Sequence, residues 1–210
     1  MKAQDVHAAS LATSTALSGY YVANFIPPLE IIRALNRAGV RFLLAGTHGL
    51  GGWTKKPRAT EDVDVLVTAR GHKKAVTALL AAFPGLEPED HEAVTLLRER
   101  ETGAVRIDVI KSNQGVYRTA FKNAHIVQSG GQTYNVPSLE LALAMKFAAL
   151  LSSTRGLADK YMDAADFMRI ARASPAIDLK KLHALGELIH NGDNLVEKVR
   201  QVWAGEKIEF

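Results

Sequence analysis

Two aspartates, Asp62 and Asp64, stand two positions apart in the segment Asp62-Val63-Asp64-Val65-Leu66-Val67. Side chains at i and i+2 of a strand share a face, so the spacing predicts that both carboxylates point to one side of a sheet. Such positions lie about 6.6 Å apart, and two like charges there repel by roughly 2–3 kcal/mol at an effective dielectric of 20. A divalent cation removes this repulsion, and Mg²⁺ binds carboxylate oxygens, waters and substrate phosphates.

A third carboxylate stands in another predicted strand, where Asp108 is the one acid of Arg106-Ile107-Asp108-Val109-Ile110. If this strand lies beside the first, three carboxylates converge. Such a group can hold two metal ions about 3.5–4 Å apart, the arrangement that assists phosphoryl or nucleotidyl transfer. Asp108 would then also be able to act as a general base. An EF-hand is excluded, because Val67 stands where that calcium loop requires glycine.

A glycine-rich segment, Gly46 to Gly52, follows a short apolar strand predicted over 40–45. Neither common glycine motif for nucleotide binding fits its spacing. His48 stands where a Rossmann G-x-G-x-x-G needs its second glycine, and Gly52 stands where a P-loop needs lysine.

The elements that must position these residues follow from the hydrophobic periodicity and the turn residues. Residues 1–27 are predicted to form an arm or a loosely attached helix, and 28–137 a mixed sheet with helices. Ser138 then caps the first helix of a C-terminal helical lobe, 138–210. The fold class predicted is α+β. Strands are expected over 40–45, 60–67, 93–98, 105–110, 126–128 and 133–136, and helices from Leu29, over 73–82 and near 138–152, 156–173, 178–190 and 193–203.

Composition narrows the functional classes. The 210 residues include 47% apolar and 23% charged residues and no cysteine, which excludes a disulfide scaffold and cysteine-ligated zinc. No stretch approaches the roughly 20 apolar residues of a membrane helix, so no membrane partner is expected. Residues 1–23 lack the apolar core of a secretory signal, which favours the cytoplasm. The formal charge of +4 is a weak indication of an anionic partner.

The order of these features resembles a known family. A strand, a glycine-containing turn, a helix, an R-x-T-x-D-x-D strand and a later strand with a lone aspartate look like the nucleotidyltransferase superfamily with the DNA polymerase β-type fold. Over about residues 29–172 the chain is more narrowly similar to the AbiEii-type toxin nucleotidyltransferases of bacterial toxin–antitoxin systems and their uncharacterised relatives. Lys146 and the segment Asp159-Lys160-Tyr161-Met162-Asp163 carry that narrower resemblance.

The resemblance implies a Mg²⁺-dependent enzyme that moves an NMP from an NTP to a hydroxyl. It makes Asp62 and Asp64 metal ligands and Asp108 the third carboxylate. The family's Gly-Gly or Gly-Ser pair, which approaches the triphosphate, corresponds here to Ala45-Gly46 or to Gly46-Thr47. We favour Gly46-Thr47, because a hydroxyl and a free backbone N–H at a helix start can both hold phosphate oxygens.

Further candidates for nucleotide binding each have a plainer alternative. Arg58 either reaches phosphate or pairs with Glu61. Lys146 either extends to water or faces the phosphate cleft, and the resemblance supports the cleft.

Asp159, Asp163 and Asp166 share one helix face, with Lys160 beside it. The resemblance places this region at the nucleotide site, and the alternative is a solvated helix face.

The resemblance implies an NTP substrate, an acceptor that is tRNA or another macromolecule, toxin activity and a cognate antitoxin protein. Two alternatives stay open. The acceptor can be a small hydroxyl compound such as an aminoglycoside antibiotic, or the chain can be a degenerate member that binds only a nucleotide or a partner protein. The lysines Lys55 and Lys56, with Arg58, either guide a polyanion or belong to a solvated loop.

Overall fold

A computed structural model describes residues 3–113, 115–174 and 176–209, so both ends of the chain, at residues 1–2 and 210, lie outside the described residues. The strands are β1 (Phe42–Leu44), β2 (Val63–Val67), β3 (Leu86–Asp90), β4 (Val94–Glu99), β5 (Val105–Lys111), β6 (Ala124–Ser129) and β7 (Gln132–Pro137). The α-helices are α1 (Ala3–Tyr21), α2 (Pro28–Arg37), α3 (Gly46–Thr54), α4 (His72–Ala82), α5 (Leu139–Leu151), α6 (Leu157–Ala173), α7 (Leu179–Gly186) and α8 (Leu195–Ala204). Among the described residues, no helix combines the length and the apolar character that a membrane crossing requires.

The strands form one mixed sheet in the order β3-β4-β5-β2-β1-β7-β6. The pairs β2–β5 and β1–β7 are parallel, and the other neighbours are antiparallel. From α5 onward the described chain is helical. The predicted fold class, an α+β mixed sheet with helices followed by a helical lobe, is therefore confirmed. Ser138 accepts a hydrogen bond from the backbone N–H of Leu141, as the predicted cap of α5 requires.

Alternation along β2 divides the core between the two faces of the sheet. Val63, Val65 and Val67 pack into a cluster with α2 and α4. Leu66 points to the opposite face, into a second cluster built with α5, α6 and the other C-terminal helices. Because i and i+2 share a face, Asp64 lies on the side of Leu66 and the helical lobe.

Helix α1 packs closely against α3 through small residues. Its buried face includes Ser10, Ser14 and Ser18. A Cβ built on Gly52 of α3 would lie 2.5 Å from Nδ1 of the His7 ring, so the glycine permits this approach. A helix from the 1–27 segment thus covers part of the 28–137 sheet region. The division into 1–27, 28–137 and 138–210 remains a proposal.

Several elements differ from the prediction. Strand β2 begins at Val63, so Asp62 stands just before the strand rather than in it. The glycine-rich segment, where the periodicity predicts no helix, forms α3. Strand β3 has no alternating apolar pattern, because it is a sheet edge with Pro88 and mostly exposed charged side chains, which do not depend on burial. Residues 115–122 form a 3-10 helix that the periodicity did not indicate. Helix α7 ends at Gly186, four residues before the predicted end, since the backbone there packs closely against Gly192.

Candidate active site

The structure brings Asp62, Asp64 and Asp108 together. Asp64 on β2 stands opposite Asp108 on β5 in the parallel pairing, and Asp62 lies just before β2. One oxygen from each carboxylate lies within 4.8 Å of the other two. Parallel pairing is what places the two strand aspartates side by side, although β3 and β4 lie between β2 and β5 along the chain.

Among the described residues, none of the three carboxylates forms an ion pair. Burial raises the pKa of Asp64 well above its usual range, and the Asp62 and Asp108 carboxylates raise it further. Burial and the Asp62 charge raise the pKa of Asp108 to about 7. Oδ1 of Asp108 is buried and accepts no hydrogen bond from the described residues. An all-oxygen set of three acids with an unpartnered buried oxygen is chemically suited to a hard divalent cation.

Asp62 is held by a chain of hydrogen bonds that begins on α1. The Thr60 hydroxyl donates to Oδ1 of Asp62 over 2.7 Å. The Thr60 backbone N–H donates in turn to Oγ of Ser18 over 3.0 Å, and Ser18 is fully buried. The N-terminal helix therefore fixes the segment that carries one of the three carboxylates.

Gly46 opens α3 directly against Asp64. It has a φ of +51°, and a Cβ there would lie 2.5 Å from Cγ of Asp64 and closer still to Oδ2. Thr47 is the second residue of the helix, whose first N–H groups have no acceptor within it. The positive end of the α3 dipole thus adjoins the acidic cluster, in the geometry by which helix starts bind anions.

His48 points away from the acidic cluster and packs against α1. Its Nδ1 lies 2.8 Å from Oγ of Ser14 on α1, its ring packs beside Phe25, and the side chain is 3% exposed. Burial and the Arg58 charge lower the pKa of His48 to about 4, so the ring is neutral at pH 7. The bulky residue beside Gly46 and Thr47 therefore belongs to the α1–α3 packing.

Lys146 is buried and paired with two carboxylates rather than extended to water. Its Nζ donates to Oδ1 of Asp163 over 2.8 Å and lies 3.0 Å from Oδ2 of Asp166, and the residue is 8% exposed. Although burial lowers the pKa of Lys146, the two carboxylates outweigh that effect and raise it. The alternative of a solvated face is therefore wrong for Asp163 and Asp166, which are buried partners of a lysine.

The remaining candidates surround this ion-pair network. Arg58 pairs with Asp166, with Nη2 and Oδ2 3.4 Å apart, rather than with Glu61. Asp159 is exposed at the start of α6 and Lys160 is partly exposed beside it, so both lie outside the buried pairs.

The neighbouring lysine Lys55 donates from Nζ to the Ala173 carbonyl over 3.0 Å, which ties the loop after α3 to the end of α6.

Two further residues near the cluster, Arg155 and Tyr117, are not indicated by any sequence pattern. Arg155, between α5 and α6, donates from Nε to Oδ2 of Asp163 over 2.8 Å. Its charge partly offsets the rise in the pKa values of Asp64 and Asp108 that burial causes. Burial raises the pKa of Tyr117 to about 12, so its hydroxyl remains a donor. A single arginine in a loop and a tyrosine in a 3-10 helix follow no periodicity, and only the fold places them here.

No protein-family model and no curated protein sequence matches the chain. Solved structures do match it. An antigenic nucleotidyltransferase-like protein from Paracoccidioides brasiliensis is 18% identical, with 87% of this chain and 93% of that chain covered and a TM-score of 0.49. The antibiotic-resistance factor ANT(2'')-Ia is 10% identical, with 85% and 91% covered and a TM-score of 0.54. The lincosamide antibiotic adenylyltransferase LnuA, in its lincomycin-bound form, is 17% identical, with 70% and 99% covered and a TM-score of 0.48.

The likeness to ANT(2'')-Ia extends over most of both chains and shows a shared fold. At this identity it establishes nothing about substrate, which has to be argued from the site itself.

Proposed function

We propose that the protein is a metal-dependent nucleotidyltransferase, which moves an NMP from an NTP to an acceptor hydroxyl and releases pyrophosphate. The observation that carries this proposal is the convergence of Asp62, Asp64 and Asp108 within 4.8 Å, beside the start of α3. Three oxygen ligands next to an anion-binding helix start suit a substrate that brings both phosphate and a bound cation.

In this proposal Asp62, Asp64 and Asp108 hold Mg²⁺. The unpartnered buried oxygen of Asp108 and the raised pKa of Asp64 both support a site that is completed by a cation. When bound, the metal supplies Lewis-acid stabilisation of charge on the phosphoryl oxygens. Ser18 and Gly46 keep the ligands in place, the former through Thr60 and the latter by leaving room for the Asp64 carboxylate.

The nucleotide phosphates would lie at the start of α3, where the backbone N–H groups of Gly46 and Thr47 can donate to them. Arg155 is 44% exposed at its side chain and uses Nε for Asp163, which leaves the end of the guanidinium to donate to a phosphate. Lys146 acts through its carboxylate partners, since both of its close contacts are to buried aspartates.

We propose that Arg58, Asp159 and Lys160 line the same region, as the family resemblance implies. Arg58 and Lys160 would contribute positive charge toward the nucleotide, and Asp159 an acceptor for its hydroxyl or amino groups.

The proposed transfer forms one bond, breaks one bond and moves one proton. The acceptor oxygen bonds to the α-phosphorus, and the bond from that phosphorus to the bridging oxygen breaks, with its electron pair leaving on pyrophosphate. Asp108 takes the proton of the acceptor hydroxyl. A carboxylate beside the acceptor hydroxyl can take this role as a general base.

We propose an RNA acceptor, tRNA in the first instance, which would make the protein the toxin of a toxin–antitoxin pair with a cognate antitoxin protein. A second candidate is an antibiotic hydroxyl. It is favoured by the shared fold with the antibiotic-resistance factor ANT(2'')-Ia. Both candidates use the same site and differ in the acceptor alone.

The test uses purified protein with Mg²⁺, each of four α-labelled NTPs, and total tRNA, an aminoglycoside panel or protein alone. The variant Asp64→Asn removes one cluster carboxylate. Asp193→Asn makes the same chemical change at an exposed position before α8 and is the matched control.

Label on tRNA with wild type and control, absent with Asp64→Asn, is the expected result. Label on the drug instead would replace the RNA acceptor by an antibiotic. No label on any acceptor, with NTP binding that is the same in EDTA and in Mg²⁺, would refute the enzyme and leave a degenerate nucleotide-binding protein.

A further inference from the structure

A groove between α2 and α4 lies on the other side of the sheet from the acidic cluster. Its two halves share a floor of small residues, Ala38, Ala78 and Ala81. The helices that form it pack on the Val63, Val65 and Val67 face of β2, whereas Asp64 points to the opposite face. The groove is therefore separate from the site described above.

Five basic side chains line this groove. They are Arg33 and Arg37 of α2, Arg70 of the short 3-10 segment before α4, and Lys73 and Lys74 of α4. Glu30 is the one acidic residue in the lining. These six residues carry a formal charge of +4, which equals that of the whole chain, so the other acidic and basic residues balance one another.

The five cations differ from the cations near the acidic cluster in having no counterion. Within residues 3–113, 115–174 and 176–209, none of the five forms an ion pair. Arg58, Lys146 and Arg155, in contrast, are all paired with buried aspartates. The groove therefore combines five cations with one acidic residue and carries a local excess of positive charge.

We propose that this basic groove binds the phosphate backbone of RNA and holds the acceptor of the reaction. The proposal rests on the proposed function in that the RNA bound here is the RNA that is modified. A shallow floor of alanines admits a backbone between two rows of cations. Each lysine or arginine that neutralises a phosphate releases a condensed counterion, and this release supplies the binding free energy.

The groove fits RNA better than a lipid surface. Membrane-binding helices combine basic residues with exposed aromatic or large aliphatic side chains that enter the bilayer. In the described part of the chain, the exposed large apolar residues lie elsewhere, and none is on α2 or α4. Phe83, the one large apolar residue in the lining, is only partly exposed, so a concave surface dominated by charge remains, and this is suited to a polyanion that stays in water.

The test measures RNA binding by fluorescence anisotropy with the full chain. The probes are a labelled 20-nucleotide RNA of mixed sequence and labelled total tRNA, in EDTA without NTP, over a series of salt concentrations. The groove variant is Arg37→Glu/Lys73→Glu/Lys74→Glu. Its control, Lys122→Glu/Arg172→Glu/Lys180→Glu, reverses three exposed cations outside the groove and changes the net charge equally.

Since a phosphate contact contributes about 0.7–0.9 to the slope of log K against log salt, losing three contacts should reduce that slope by about 2–3. We expect the groove variant to bind at least tenfold more weakly at 0.1 M salt and the control less than threefold. Equal losses in the two variants, an unchanged groove variant, or binding to anionic vesicles without binding to RNA would each overturn the proposal. Circular dichroism verifies that both variants are folded.

The two proposals fail in distinguishable ways. RNA binding in EDTA does not depend on catalysis, so it should be the same for Asp64→Asn as for wild type. If RNA binds through the groove and no acceptor is labelled, the enzymatic proposal and the acceptor role of the bound RNA are wrong, and RNA binding by the groove stands. If an antibiotic is labelled and RNA does not bind, the groove proposal alone is wrong.

Discussion

Substituting Gly46 by alanine should remove activity through the position of one carboxylate. A Cβ at residue 46 would lie 2.5 Å from Cγ of Asp64, whereas ordinary contacts begin at about 3.4 Å. Cγ of Asp64 would have to move by about 1 Å and Oδ2 by more, out of the group formed with Asp62 and Asp108. The matched control is Gly103→Ala in the β4–β5 turn, where φ is +72° and no described atom lies within 4 Å of the added Cβ.

The free energy of unfolding and the transfer rate separate two effects of the substitution: strain in the backbone and displacement of the Asp64 carboxylate. Both glycines have positive φ, so each alanine should destabilise the fold by about 1–2 kcal/mol. A displacement of about 1 Å in a catalytic group lowers the rate by about 10², or about 2.7 kcal/mol of transition-state stabilisation. We therefore expect similar losses of stability in the two variants and a hundredfold lower transfer rate in Gly46→Ala alone.

The assay is initial-rate transfer of labelled NMP over a Mg²⁺ titration, combined with thermal unfolding of both variants. A displaced ligand should also raise the Mg²⁺ concentration needed for half-maximal rate, which a loss of stability alone would not do. If the rate of Gly46→Ala is within tenfold of that of Gly103→Ala, the reasoning that Gly46 exists to seat Asp64 is refuted.

Three further predictions concern groups around the cluster. Because burial and a neighbouring aspartate raise the pKa of Asp108 from 3.8 to about 7, the folded protein holds a proton that the unfolded chain has released. Thermal stability in EDTA should therefore fall as pH rises from about 4 to 7, with a smaller fall in Asp108→Asn; a pH-independent melting temperature would contradict this. Lys146→Met leaves two buried carboxylates without their ammonium and should lower the free energy of unfolding by about 3–5 kcal/mol in urea titrations. The exposed Lys207→Met should change it by less than about 1 kcal/mol, and equal losses would be evidence against the buried network. Ser18→Ala removes the acceptor that fixes the segment before β2, so the transfer rate should fall about tenfold and recover in Ser18→Thr. The control Thr13→Ala alters an exposed hydroxyl of the same helix and should cause no loss. An unchanged rate in Ser18→Ala would exclude the positioning role.

Much of the fold could be predicted because its elements have local signals. The alternation at 60–67 and 105–110 predicted β2 and β5, and Ser138 predicted the start of α5. The edge strand β3 could not be predicted in this way, since an exposed charged strand is stabilised by backbone pairing with β4 and leaves no apolar pattern.

The glycine-rich segment shows why a motif alone was insufficient. As a sequence, Gly46 to Gly52 is compatible with a phosphate-binding turn. In the structure it is the helix α3, and its glycines serve close packing: Gly46 against Asp64, and Gly52 against His7 of α1. The partner that requires each glycine is distant in the chain, so no local rule reveals the requirement.

The residue types and their spacing were enough to indicate the chemistry of the site. The Asp-x-Asp spacing predicted two carboxylates on one side of a sheet, and the three acids, with no cysteine in the chain, indicated oxygen ligands for a hard metal. Which other side chains contact Asp62 and Asp64 depends on the tertiary structure. The parallel pairing of β2 with β5 brought Asp108 beside Asp64, and the packing of α5 on α6 buried Lys146 between Asp163 and Asp166. The reason is physical: spacing along one element is set by its covalent geometry, whereas contacts between elements depend on how all the buried surfaces of the chain pack at once.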